Sequence, residues 1–524
     1  MKRRDFCKGL AVTFAAGTLA PAAALPQAGA ATALVGRAVP DDYYTLWYRS
    51  DRCGADLRHD YYYSDSLFDH PATEYDNQLA LATLGMAAAT DCPWESDQRY
   101  WMEGEVGRAD HIRDAFAKLG FTEVQLFNYT HSLNDTPDTV GCAIARKTLV
   151  RGGRQVTIIG AFLRGSGYGA EWSGNLHAGP GSAHVGFVTA ARQLVEKIRA
   201  YVQVSAKRQP LGTLKLWMGG YSRGGGVANL VAARLPAVLP QLEKKNTFVY
   251  TFAAPASLTA ADCPDLQQDY DNNHAADGSL KKNWGTSNIF NIVSSGDVIP
   301  RILPAEWGFY RNGNDRFLPS TVIPEELQAL NDRSAGMEGT PMDFGRLAVS
   351  EETDAVLRSM LDLFCDRQTY YKGYEDAMRC MLQCATTRTE EEVTRGIVRD
   401  DAAVVAQLRS MELMQRFPQE KVERCVQAAS ALSRPVLEKL GSAVPLQAQQ
   451  IVIPMLAVGL CFELQPETVQ LVADFVLSTI TVKGQLSGIL KTVLCHFQEN
   501  YITVLEAYDP ADHGMTPYTR REEL

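Results

Sequence analysis

The chain has 524 residues, 46% of them hydrophobic and 21% charged, which allows one large domain or a domain with a sizeable insertion. Its 51 basic and 61 acidic residues give a net charge of -10. With no basic run and no nucleic-acid motif, that balance argues against nucleic acid as a partner.

Residues 1–33 read as an export address. Arg3 and Arg4 precede Phe6 and Lys8, a weakly apolar run follows from Gly9 to Ala24, and Ala31-Thr32-Ala33 offers small residues suited to a signal-peptidase cleft. The pattern resembles a twin-arginine signal peptide, with Cys7 where an apolar residue is usual. Gly17 and Pro21 interrupt a run too short to span a bilayer, and the later "IVIPMLAVGL" is about half the length needed. The expected location is therefore exported: periplasmic, extracellular or at the cell surface. Cleavage would remove a net charge of +3, leaving the mature chain near -13, and would take Cys7 from the 11 cysteines. Connectivity among the rest is not readable. Cys380 and Cys384, four apart in an expected helix without a histidine cluster, read as buried thiols, and no metal is expected.

Further along, Tyr43 to Tyr63 is rich in tyrosine, and the stretch around Trp47 reads as core and edge packing. "YDNQLALATLGMAAAT" (Tyr75 to Thr90) predicts a helix. "HIRDAFAKLGF" predicts a second, with Ile112, Phe116 and Leu119 on one face and Gly120 as its stop. "GCAIARKTLVRGGRQVTIIGAFLRG" predicts two strands joined by a turn at Gly152-Gly153. A long helix from Val185 to Val204, the strand "LKLWM" and a helix from Gly224 follow, then the buried strands "FVYTFAAP" and "SNIFNIVSS". Apolar strands alternating with helices imply an α/β fold, a largely parallel sheet with helices on both faces.

Between "LKLWM" and its helix stands Gly220-Tyr221-Ser222-Arg223-Gly224, a G-x-S-x-G sequence. A serine nucleophile must stand clear of a strand tip with a helix starting behind it. That turn is too sharp for side chains two before and two after the serine. Gly225 and Gly226 let the first helical turn pack closely, against a helix cost of about 1 kcal/mol each. The helix N-terminus brings partial positive charge to the place where an oxyanion would form. "NIFNIVSSGDVIPRILP" presents Asp297 just past a strand, where an acid can hold the tautomer of a histidine. Asp315 is the fallback acid, with no strand expected to present it.

Five motifs in order resemble the class 3 (fungal-type) lipase family of α/β-hydrolases: "AFLRGS", "AHVGF", "GGYSRGGGVANL", "YTFAAPA" and "DVIPRILP". The resemblance runs from about Tyr75 to Phe309. It implies an α/β-hydrolase fold with Ser222 as nucleophile, Asp297 as acid and the main-chain N–H groups of Ser166 and Arg223 as oxyanion hole, the Ser166 hydroxyl assisting. Ala253 stands where the family often has glycine, and Arg223 where leucine is common, so an effect of Arg223 on substrate preference is expected. Chain order places the base after Asp297, at His496 or His513. His496 to Tyr501 resembles the family's histidine-x-x-glutamate-x-tyrosine pattern, and His513 lies in the proline- and glycine-marked "PADHGMTPYT", so His496 is preferred. The lipase resemblance also implies an ester or lipid substrate, peripheral contact with a lipid surface, and no cofactor.

The region beyond the acid departs from the family in length. "TDAVLRSMLDLF", "TEEEVTRGIV" with Thr389 and Glu392 as a capping box, and "PETVQLVADFVL" with Pro466 in its first turn predict a helical insertion. The expected organisation is a core over 34–316, a helical insertion or cap over 317–491, and a segment over 492–524 carrying the histidine. The insertion reads equally as a cover over the active site or as a structural appendage. "DYDNNHAADG" (Asp269 to Gly278) has its glycine misplaced for a calcium loop and reads as a solvated loop. The functional expectation is an exported serine ester hydrolase, a lipase or carboxylesterase. The alternatives are a phospholipase, thioesterase or peptidase on the same triad, or an inactive surface-binding module.

Overall fold

A computed structural model describes residues 37–507 except 51–54, 92–108, 130–136, 168, 182, 260–285, 295, 319–349, 365, 387–395, 441–445, 471–491 and 493–494. The export signal, the Asp269–Gly278 stretch, the Thr389–Glu392 capping box and His513 lie outside the described residues.

The chain opens with an antiparallel hairpin of β1 (Asp42–Ser50) and β2 (Ala55–Tyr63). Helices α1 (Asn77–Ala89) and α2 (Asp110–Lys118) follow, then β3 (Thr122–Phe127), β4 (Cys142–Arg151) and β5 (Arg154–Leu163). Gly152 and Gly153 join β4 to β5 with φ of 54° and 73°, the left-handed pair that a two-residue hairpin requires. Next come α3 (Gly169–Asn175), α4 (Val185–Arg208), β6 (Thr213–Tyr221), α5 (Arg223–Val238), β7 (Thr247–Phe252), β8 (Leu258–Thr259), β9 (Ile289–Ser294), β10 (Phe309–Tyr310) and β11 (Asn314–Leu318).

Seven of these strands form one sheet in the order β11-β9-β7-β6-β5-β4-β3. Strands β5, β6, β7, β9 and β11 run parallel, while β4 and β3 continue the sheet antiparallel at one edge. This is an α/β-hydrolase fold. Its strands are apolar on both faces because both faces are covered. Phe162, Trp217, Phe248, Tyr250 and Phe290 pack against α1, α2 and the hairpin; Ala161, Leu163, Leu216, Met218 and Val249 pack against α4 and α5. Trp47 lies in the hairpin and stacks on His111, a packing role.

A third buried cluster joins Leu303, Trp307 and Phe309 to helices after the sheet: α6 (Ser350–Phe364), α7 (Glu375–Thr386), α8 (Asp401–Ser410), α9 (Gln419–Leu440) and α10 (Leu446–Cys461). Leu357 and Phe364 of α6 are buried and Leu361 is half-buried. Cys380 and Cys384 are buried free thiols in α7, and among the described residues no group of His, Cys, Asp and Glu could hold a metal ion. No described helix is long and apolar enough to cross a membrane. The sheet reaches Leu318, slightly past the expected boundary at 316.

Among the described residues, hydrogen bonds and ion pairs tie the helical region to the core at two places. Thr353 of α6 donates to the carbonyl of Gly296 at 2.9 Å, and Arg301 pairs with Asp354. On the other side, Tyr370 donates to the Leu176 carbonyl, Arg367 to the carbonyls of Gly179 and Gly181, and Glu375 accepts the Gly179 N–H. The chain then returns to the core as α11 (Gln498–Ala507), whose Tyr501, Ile502 and Leu505 join the first cluster.

Candidate active site

The centre of the site follows from one backbone anomaly. Ser222, between β6 and α5, has φ 53° and ψ -125°, a sparsely populated region for any residue with a side chain. The surroundings hold it there: its N–H donates to Phe252 at 2.9 Å, and its carbonyl accepts from Gly226 at 3.0 Å. A Cβ at Gly220 would lie 2.4 Å from the Gly224 carbonyl oxygen, and one at Gly224 would lie 2.4 Å from that of Leu163. The tight turn thus depends on both glycines.

Asp297 lies three residues beyond β9 and is fully buried. Its Oδ1 accepts the Ile299 N–H at 2.9 Å, and its Oδ2 accepts both the Tyr501 hydroxyl and His496 Nδ1–H, each at 2.8 Å. His496, in the turn before α11, places Nε2 2.9 Å from Ser222 Oγ. Because the carboxylate accepts at Nδ1, the free lone pair sits on Nε2, facing the serine hydroxyl. The structure therefore brings Ser222, His496 and Asp297 into one hydrogen-bonded line, although 199 positions separate the acid from the histidine.

Tyr501 extends that line. Its oxygen accepts the Ser294 N–H at 3.0 Å while its proton goes to Asp297, and burial holds the phenol well above its ordinary pKa. Tyr221 donates to the His496 carbonyl, fixing the histidine turn from beneath. The sequence pattern picked out Tyr501; its hold on the acid needed the fold.

Ser166 follows β5 and is half-buried. Arg223 is the first residue of α5, so its N–H has no partner one turn earlier in the helix. The Arg223 side chain, from which an effect on substrate preference is expected, is drawn inward. It is 1% exposed and turns into the protein, donating from Nε to the Thr139 carbonyl, from Nη2 to that of Pro137 and from Nη1 to Asn175 Oδ1, each at 2.9 Å. The Thr139 and Pro137 carbonyls and the Asn175 amide oxygen solvate the buried guanidinium charge. Asn175 also donates to Ser166 Oγ at 2.8 Å, a contact with no sequence signal. His184, the N-cap of α4, accepts the Phe187 N–H and donates to the Asn175 carbonyl at 2.9 Å; burial pushes its imidazole down to about 3.

Asp315 is carried by a strand after all, β11, but serves elsewhere. Arg311 clasps both of its carboxylate oxygens, at 3.0 and 2.6 Å, and Asn291 donates to it at 2.9 Å.

A family model described as lipase (class 3) matches residues 165–307, the stretch that runs from the end of β5 through Asp297. No curated protein matches the chain. Among solved structures, a Rhizomucor miehei triacylglyceride lipase is 19% identical, with 46% of this chain and 79% of that one covered and a TM-score of 0.31. A lipase from Rhizopus microsporus var. chinensis is 17% identical over 47% of this chain and 75% of its own, with a TM-score of 0.31. A Yarrowia lipolytica lipase is 17% identical over 47% and 78%, with a TM-score of 0.29. The family match supports a lipase-like carboxylic-ester hydrolase.

Proposed function

We propose that the chain is an exported serine ester hydrolase, a lipase or carboxylesterase, with Ser222 as nucleophile, His496 as general base and Asp297 as the acid that orients it. The observation that carries this reading is the unbroken line from Asp297 through His496 to a serine held in a strained turn at a helix N-terminus. His496 Nε2 takes the hydroxyl proton as Ser222 Oγ attacks the ester carbonyl. The oxyanion is received by the Ser166 and Arg223 N–H groups, which need no reorganisation. The imidazolium protonates the departing alcohol, and water, activated by the same base, releases the acid from Ser222. An ester or lipid substrate, met at a lipid surface, fits the lipase-like match.

In this reading 34–318 is the catalytic core, 319–491 a helical insertion and 492–524 the segment that returns the base. Two sets of hydrogen bonds support the insertion as a fixed flank of the site: one holds the acid loop at Gly296, the other the chain after Asn175. Residues 1–33 would direct export and be removed.

The test combines fluorophosphonate labelling with a panel of esters of rising chain length. Labelling at Ser222 is expected, and Ser222→Ala should lower turnover by about 10⁴ or more with folding intact. His496→Ala should be comparably inactive and His513→Ala active. Loss confined to the His513 variant would reassign the base, and an active Ser222→Ala would remove the reading.

A further inference from the structure

We infer that Asn175, gripped by Arg223, is a positioning residue that leaves the hydrogen of the Ser166 hydroxyl free to donate to the oxyanion. The inference rests on the hydrolase reading above and adds to it the parts that set the polarity of this hydroxyl.

A guanidinium has N–H groups and no acceptor, so the amide atom 2.9 Å from Arg223 Nη1 must be the Asn175 oxygen. The amide nitrogen then faces Ser166 Oγ at 2.8 Å and can only donate. A hydroxyl that accepts there keeps its single hydrogen for another partner. The nearest developing charge in the proposed reaction is the oxyanion, which the Ser166 and Arg223 main-chain N–H groups also serve. Residue 223 therefore acts twice, through its backbone directly and through its side chain by way of Asn175.

The relay is rigid on every side. Arg223 is fixed by the Thr139 and Pro137 carbonyls and lies 5.2 Å over the Phe187 ring. The Asn175 carbonyl accepts from His184 Nε2 at 2.9 Å, and Nδ1 of the same ring, facing the Phe187 N–H, must be the unprotonated nitrogen. With both its main chain and its oxygen fixed, Asn175 cannot flip its amide without setting an N–H group against the guanidinium.

Replacement by aspartate keeps the shape and reverses the polarity: a carboxylate pairs with Arg223 and accepts the hydroxyl hydrogen that asparagine leaves free. The experiment measures kcat and KM for wild type, Asn175→Asp, Ser166→Ala and the double variant on one soluble ester. Each single variant is expected to lose roughly 10- to 100-fold in kcat at nearly constant KM, as for a donor used only in the transition state. The double variant should be no slower than Ser166→Ala alone, because the asparagine acts only through that hydroxyl. Wild-type kcat in Asn175→Asp, or losses that multiply in the double variant, would overturn the inference. If Asn175→Asp does not fold, Asn175→Ala carries the same comparison: it should cost kcat in the wild-type background and nothing further beside Ser166→Ala. A wild-type protein that neither turns over esters nor labels at Ser222 overturns the hydrolase reading, and this one with it. Active, labelled wild type with an indifferent Asn175 overturns only the positioning role.

Discussion

His184 makes an acid-sensitive joint of the α3–α4 corner. Fully buried, it is pushed from the ordinary 6.5 to about 3, so the native protein holds it neutral while the unfolded chain protonates it. Between those values the unfolded state binds more protons, and stability rises with pH; above about 6.5 the contribution is complete, and it drains away on acidification towards 3. Going from pH 7.5 to 5.5, the proton taken up only by the unfolded chain costs about 1.4 kcal/mol, and a further unit down costs about as much again. His184→Gln preserves a donor for the Asn175 carbonyl and cannot titrate. Its absolute stability will be lower, but its loss between pH 7.5 and 5.5 should be smaller than the wild type's by about that 1.4 kcal/mol. Guanidinium unfolding at the two pH values, with matched m-values, measures the difference directly. Parallel pH dependences in the two proteins would refute the reasoning.

Tyr501→Phe removes a hydrogen bond to the buried Asp297 carboxylate and strands the Ser294 N–H, so it should cost about 2 kcal/mol by chemical denaturation and lower kcat. An unchanged unfolding midpoint would deny the tyrosine its place behind the acid. Gly224→Ala drives a methyl to 2.4 Å from the Leu163 carbonyl oxygen and should lose 3 kcal/mol or about that, or fail to fold, whereas Gly373→Ala, with nothing within 4 Å of the new methyl, should unfold at nearly the wild-type temperature. Equal melting points for the two glycine variants would show that the elbow tolerates a side chain. Arg3→Lys with Arg4→Lys should leave uncleaved precursor in the cytoplasm on fractionation; mature protein outside the membrane would rule out a twin-arginine signal.

The elements that sequence revealed are those whose signal is local. "LKLWM" and "FVYTF" are apolar on both faces because helices cover both faces, and Gly220 and Gly224 are needed by the turn they themselves form. His496 was reachable through chain order and the pattern ending at Tyr501. What stayed hidden depends on partners far along the chain. An arginine beside the nucleophile looks like a surface charge until the Pro137 and Thr139 carbonyls, 86 and 84 positions away, are brought beneath it. Asp315 looked unsupported because β11 is short and polar at its start, and nothing local announces that Asn291 and Arg311 await it. Asn175 carries no pattern at all; its importance lies wholly in the two atoms it separates.

The placement of the base has a temporal side. In the proposed reaction, a chain synthesised only as far as the acid loop holds its serine elbow, most of its sheet and Asp297, but not the His496 imidazole that would take the serine proton. All the helices from α6 to α10 must be made before His496 emerges, and Thr353 and Glu375 tie them to Gly296 of the acid loop and to Gly179. Closing a free loop of 199 residues costs about 2 kcal/mol more than closing one of 20, whereas helices already packed into a compact body hold its ends near each other. Under the proposed mechanism the helical region is thus a timer as well as a flank: a chain that stops before His496 would lack the base, and hydrolysis would begin only once that segment has returned to the core.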